Sequence, residues 1–112
     1  MFGFGKAKIK KTKTIVIGVN LSRETPGARL IDLRPSYDFK DGHIKGSINL
    51  SPDRKDLIKS RIREMDAPLF LYGNAGTKLK KDAKEFRDLG YTDITVIGYI
   101  EDYRGQLQRG KV

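Results

Sequence analysis

Pro68-Leu69-Phe70-Leu71-Tyr72-Gly73-Asn74-Ala75-Gly76-Thr77-Lys78 runs from a proline through an apolar stretch into a turn of small residues. Consecutive apolar residues after Pro68 predict a buried strand. Two glycines, with Asn74 and Ala75, predict a tight loop. Beyond it Leu79, Ala83 and Phe86 recur at helical spacing and Gly90 stops the run, which predicts a helix over Lys78–Leu89. A strand feeding such a loop and then a helix turns backbone N–H groups toward one point, the arrangement of an oxyanion cradle. No Cys, Ser, Asp or His stands where the strand ends; Gly73 does. The expectation is an enzyme scaffold without the residue that would perform the chemistry.

Outward from this centre, strands and helical stretches alternate. Thr14–Val19 is rich in β-branched residues and predicts the first strand. Asn20–Arg29 reads as a loop, Leu30–Leu33 as a short strand and Pro35–Gly42 as a brief helix, capped by Ser36 or opened by Pro35 and closed by Gly42. Ile48–Leu50 predicts another strand. Ser51 as cap, Pro52 at the first position and Asp53 in the first turn open the next helix. Its apolar face is Leu57, Ile58, Ile62 and Met65, and its basic face is Lys55, Lys59, Arg61 and Arg63. Ile94–Ile97 is the last strand, ended by Gly98, and Ile100–Tyr103 a short final helix. Leu107 is a last core contact in an otherwise polar tail over 106–112. Residues 1–13 read as a basic, flexible tail, leaving one domain over 14–105. The alternation predicts an α/β fold: a small, mainly parallel β-sheet flanked by helices on both faces. In such sheets ligands bind beyond the carboxyl ends of the strands, where the loop after Tyr72 lies.

Composition narrows the function classes. The 112 residues, 38% of them hydrophobic, supply one core. No apolar run approaches the ~20 residues needed to span a bilayer. Met1-Phe2-Gly3-Phe4-Gly5 followed by lysine lacks the pattern of a signal peptide, so the expected compartment is cytoplasmic. The chain has no cysteine, which excludes disulfides and thiolate chemistry of its own. A single histidine, His43, leaves too few ligands for a zinc site, and no cofactor or metal is expected. The formal net charge is +9, with Lys6, Lys8, Lys10, Lys11 and Lys13 clustered at the start. Such an arm suits nucleic acid, an anionic membrane or an acidic protein, or is simply a solvated tail, the reading preferred here. No aromatic residue interleaves with these lysines, which argues against stacking on single strands.

Three blocks, in order, resemble the rhodanese-like domain. The first comprises Leu30-Ile31-Asp32-Leu33-Arg34, Tyr37-Asp38-Phe39 and Gly42-His43-Ile44-Lys45-Gly46-Ser47-Ile48-Asn49. The second is Pro68–Lys78, and the third is Leu89-Gly90-Tyr91 with Val96-Ile97-Gly98-Tyr99-Ile100 and Tyr103. The resemblance covers roughly residues 28–105. It implies that the active loop would begin with a nucleophilic Cys, at the position of Gly73, and end with Arg, at the position of Lys78. In active members the thiolate accepts a sulfane sulfur as a persulfide and passes it on. With Gly73 this step has no atom to occur on, and Lys78 keeps charge but not the guanidinium fork. The brief 20–29 segment departs from the family, which has a helix there.

The resemblance makes His43 a structural residue bonded to nearby backbone. Asp32 and Arg34 stand at a strand end beside the loop; Asp32 is expected to tie down the following turn and Arg34 to pair with Asp38, or to face a ligand. Asp38 and Asp41 do not form an acid/base pair. For Gly73, Asn74, Ala75, Gly76, Thr77 and Lys78 two expectations stand: a vestige closed by its own hydrogen bonds, or a cradle for thiosulfate, sulfate or phosphate. The functional expectation is a non-catalytic rhodanese-like module that binds a protein or regulates. The alternatives are an accessory protein holding a sulfur donor or a partner sulfurtransferase, and nucleic acid or membrane binding by Lys6–Lys13. If the scaffold is otherwise intact, Gly73→Cys with Lys78→Arg restores persulfide formation.

Overall fold

Leu69 and Leu71 point to one side of the central strand and Phe70 and Tyr72 to the other, and all four are buried. In the computed structural model, which describes residues 7–110, the chain builds two layers of core around that strand. The elements in order are β1 (Ile9–Lys11), α1 (Ile15–Glu24), β2 (Arg29–Asp32), α2 (Ser36–Asp41), β3 (His43–Ile44) and β4 (Ser47–Asn49). There follow α3 (Lys55–Arg61), β5 (Leu69–Gly73), α4 (Leu79–Asp88), β6 (Ile94–Tyr99), a 3-10 turn (Ile100–Asp102) and β7 (Leu107–Gln108). The main sheet has the order β1-β6-β5-β2-β4 and every pairing is parallel. Leu69, Leu71, Ile31 and Ile94 pack with Ile58, Ile62, Ala83 and Phe86 of the α3 and α4 layer. Phe70, Tyr72, Leu30 and Ile97 pack with Ile15 and Val19 of α1 on the other face. The expected α/β architecture, helices on both faces of a parallel sheet, is the one observed.

The N-terminal third departs from expectation. Thr14–Val19 is not a strand. Thr14 caps α1, its Oγ1 accepting the Ile17 N–H at 3.2 Å, and the segment read as the loop 20–29 is helical through Glu24. Ile15, Gly18, Val19 and Ser22 are buried together, a helical period that outweighs the β-branched composition. The strand position is taken by Ile9–Lys11, inside the stretch read as a tail, in register with Ile94, Thr95 and Val96. A lysine-rich strand has little propensity of its own; pairing with β6 and packing of Ile9 on the core supply the reason for it. Lys6 lies outside the described residues.

Smaller differences follow from local hydrogen bonding. The helix expected from Ser51 starts at Lys55, because the Ser51 hydroxyl bonds the Asp53 carboxylate and the Ser51 carbonyl closes a turn with the Arg54 N–H. Gly98 does not end β6. Ile97 is an extra residue between Val96, opposite Leu71, and Gly98, opposite Tyr72. The bulge holds Gly98 at φ +129°, a region other residues rarely adopt, with α1 packed against it. The C-terminal tail is partly structured: Leu107 and Gln108 pair antiparallel with Ile44 and His43, and Gly110 N–H donates to Lys40 O. Leu107 covers Gly42 rather than entering the core.

Candidate functional site

β5 delivers Gly73 to the carboxyl edge of the sheet, and the loop 74–78 turns there into α4. The loop is closed by its own side chains. Thr77 Oγ1 accepts the Asn74 N–H at 2.9 Å and donates to Asn74 Oδ1 at 2.9 Å. Asn74 Oδ1 also accepts the Gly76 N–H at 3.0 Å, and Asn74 O accepts the Thr77 N–H at 2.8 Å. The Ala75 N–H is held by the Glu101 carboxylate, at 3.0 and 3.2 Å from its two oxygens. The amides of residues 74–77 therefore all have acceptors within the chain, and a carboxylate from the turn after β6 already sits where an anion would bind. Lys78 stands at the N-cap of α4, exposed, and its side chain makes no cap hydrogen bond.

Gly73 is buried, and the space beside it is occupied. A Cβ at Gly73 would stand 2.5 Å from Thr77 Oγ1 and 2.6 Å from Thr77 Cβ. The Thr77 side chain thus takes the volume in which a residue-73 side chain would lie. A Gly73→Cys, Lys78→Arg pair alone therefore leaves Thr77 in that volume.

Asp32 and Arg34 form a buried unit at the end of β2. Arg34 Nη2 lies 2.8 Å and Nε 3.1 Å from Asp32 Oδ2, and Asp32 Oδ1 accepts the Arg34 N–H at 2.8 Å. Arg34 Nη2 also donates to Gly42 O at 2.6 Å. Asn49 Nδ2 donates to Asp32 O and Arg34 O, which ties β4 to the same turn. Burial works against the Arg34 guanidinium, but the hydrogen bond and charge of Asp32 more than offset it and hold it above the ordinary arginine value. Asp32 secures the turn as expected, whereas Arg34 pairs with Asp32 and not with Asp38.

His43 is fully buried and stacks on Phe39 at 3.7 Å between ring centroids. Its Nδ1–H donates to Phe39 O at 2.7 Å, so the ring is engaged with backbone as the resemblance implied. Tyr72, beside Gly73, accepts the Ile44 N–H at 3.1 Å and bonds Ser47 Oγ at 2.9 Å. Ser47 Oγ in turn donates to Ile44 O. Burial, with the nearby Asp32 charge, pushes the Tyr72 hydroxyl far up, so it remains protonated. Among the described residues no side-chain hydrogen bond joins Asp32, Arg34 or His43 to residues 73–78, although Asp32 is in register with Tyr72, next to Gly73. Glu101 is the residue that sequence reasoning passed over; Thr77 was placed in the loop, but not as the side chain that fills the space beside Gly73. The available signal was an acid just after the last strand, at the same sheet edge as the loop.

Comparison with known proteins agrees with this geometry. The model of the rhodanese-like domain family matches residues 19–101. The uncharacterized protein YqhL of Bacillus subtilis strain 168 is 31% identical over 85 residues, 75% of this chain and 67% of its own. The uncharacterized protein YibN of Escherichia coli strain K12 is 29% identical over 72 residues, 62% of this chain, and the match spans 50% of that relative's length. A solved rhodanese with anions from E. coli superposes with a TM-score of 0.66 at 23% identity, covering 74% of this chain and 99% of that one, a likeness of fold. By the family match over most of its length, the chain belongs to the rhodanese-like domain family.

Proposed function

We propose that this rhodanese-like domain works by binding a protein partner and does not itself transfer sulfur. The observation that carries the reading is the closed loop: Gly73 offers no nucleophile and Thr77 fills the volume a nucleophile would need. A small oxyanion is disfavoured as the physiological ligand. Thiosulfate, sulfate or phosphate would have to displace the Glu101 carboxylate, which is tethered to the same fold and so competes at high effective concentration. An accessory role in holding a sulfur donor would need this loop open, and the same experiment decides it.

The test is an amide-resolved NMR titration of Gly73–Lys78 with thiosulfate, run beside an assay of sulfur transfer from thiosulfate to cyanide. The expected result is no turnover and no saturable shift in the wild-type loop, with shifts emerging at Ala75 in Glu101→Gln. Turnover, or saturation of the wild-type loop by millimolar thiosulfate, overturns the proposal.

A further inference from the structure

We infer that the groove between β1 and α4 receives an acidic, extended segment of the partner, anchored by apolar side chains. This deepens the reading of the domain as a protein-binding module and rests on it. The groove encloses about 800 Å³ and reaches from the edge strand to the carboxyl ends of β1 and β6, a volume within the range of ligand clefts. Its floor is apolar, with Ile9, Val96 and Tyr99. Its rim is cationic, with Lys11 and Lys13 from one side and Lys80 and Lys84 from the other. Asp102 is the one carboxylate among the lining residues.

The convergence is a product of tertiary structure. Ile9 and Lys11 pair in register with Ile94 and Val96, so they share a face with them in a parallel ladder, the α4 face. That register sets the N-terminal lysines opposite those of the first turns of α4. Lys10 and Lys81 have carboxylate partners, in Asp93 and Glu85. Among the described residues Lys11, Lys13, Lys80 and Lys84 are in no ion pair. At the far end the Arg87 Nε is shielded from solvent and has no hydrogen-bond partner among the described residues. Four lysines in no ion pair, against one carboxylate, over an apolar floor complement a ligand that is both anionic and apolar.

The edge strand favours a peptide among such ligands. Along one edge β1 pairs with β6, and among the described residues no strand pairs with the other. An extended segment added there would gain main-chain hydrogen bonds, with its side chains beside the floor and the rim lysines. A bilayer is less suited, because among the apolar lining residues Val16 alone is exposed, too little to insert below headgroups. Single-stranded nucleic acid is less suited because Tyr99 is the one aromatic residue lining the groove.

The experiment uses the full chain, isotopically labelled, with three synthetic peptides. The first alternates glutamate with leucine and phenylalanine, the second replaces glutamate by lysine, and the third replaces the apolar residues by serine. Vesicles of phosphatidylcholine with phosphatidylserine and an oligothymidylate strand are titrated in parallel. The expected result is saturable binding of the first peptide alone, with shifts at Ile9–Lys13, Leu79–Lys84 and Tyr99. Lys80→Glu with Lys84→Glu should weaken it by about tenfold or more at unchanged thermal stability. Equal binding of the serine peptide, tighter binding of vesicles or oligothymidylate at the same lysines, or no shift with the acidic peptide overturns the inference. Sulfur transfer is assayed on the same sample. An inactive protein that ignores the acidic peptide removes the groove and leaves the non-catalytic reading standing, whereas turnover removes the latter.

Discussion

Gly73 and Thr77 are coupled by volume. The loop N–H groups are bonded to Asn74, Thr77 and Glu101, and a Cβ at position 73 would meet the Thr77 Cβ at 2.6 Å. Gly73→Cys with Lys78→Arg is expected to lose about 1–3 kcal/mol in urea unfolding, as overpacking does, and to form no persulfide from thiosulfate by mass spectrometry. Adding Thr77→Gly removes the clashing atoms and should recover part of that stability; a fully stable, sulfur-accepting double variant would contradict the geometry. Asp32 gives a second test at this scale. Its side chain is fully buried against the nearly buried Arg34. Asp32→Asn leaves a buried guanidinium without its counter-charge and should cost about 3–5 kcal/mol by chemical denaturation. Asp32→Asn combined with Arg34→Met should cost less than the single change, because no unpaired charge remains. The absence of a nucleophile at Gly73 was legible in the residues. The filling of its space was not, since that depends on how the loop curls back.

At the scale of elements, α1 is where composition misled and packing decided. A run of Ile and Val after a threonine suits a strand by propensity, yet Thr14 caps a helix and the residues at helical spacing face the sheet. Gly18 marks how close that helix lies: a Cβ there would be 2.3 Å from both Cβ and Cγ2 of Ile97. Intrinsic propensity favours alanine over glycine in a helix by about 1 kcal/mol. The clash acts in the opposite direction, and the Ile97 Cβ has no rotamer by which to withdraw. Gly18→Ala is therefore expected to lower the melting temperature; a rise would mean that α1 sits farther from β6. The helices α2 and α4 were legible within a residue or so, because their apolar spacing and the glycines that follow them, Gly42 and Gly90, lie within one short window of sequence.

For the molecule as a whole, the first strand alters what an N-terminal truncation means. A flexible arm can be removed without cost, whereas β1 pairs with β6 and places Ile9 against the core. Deleting residues 1–13 is expected to lower stability by about 2 kcal/mol or more, the worth of burying an aliphatic side chain on an edge strand. Calorimetry of the truncated and full chains checks this, and equal melting temperatures would return the segment to the role of a tail. The α/β architecture and its parallel sheet followed from the alternation of strand and helix signals. The strands Ile9–Lys11 and Leu107–Gln108 did not, because they carry little local signal and exist through their partners.

The sequence by itself determined the order of the central elements, the family, and a loop with glycine in the place of the nucleophile. Each of these is written in short-range pattern: hydrophobic period, turn residues, and the identity of one residue after a strand. Tertiary structure alone decided that Glu101 and Thr77 close the loop, that Arg34 pairs with Asp32, and that two lysine clusters meet across the β1–α4 groove. The Glu101 contact and the groove depend on register and on residues far apart in the chain, whereas the Thr77 closure and the Asp32–Arg34 pair join near neighbours whose side-chain directions only the folded backbone fixes.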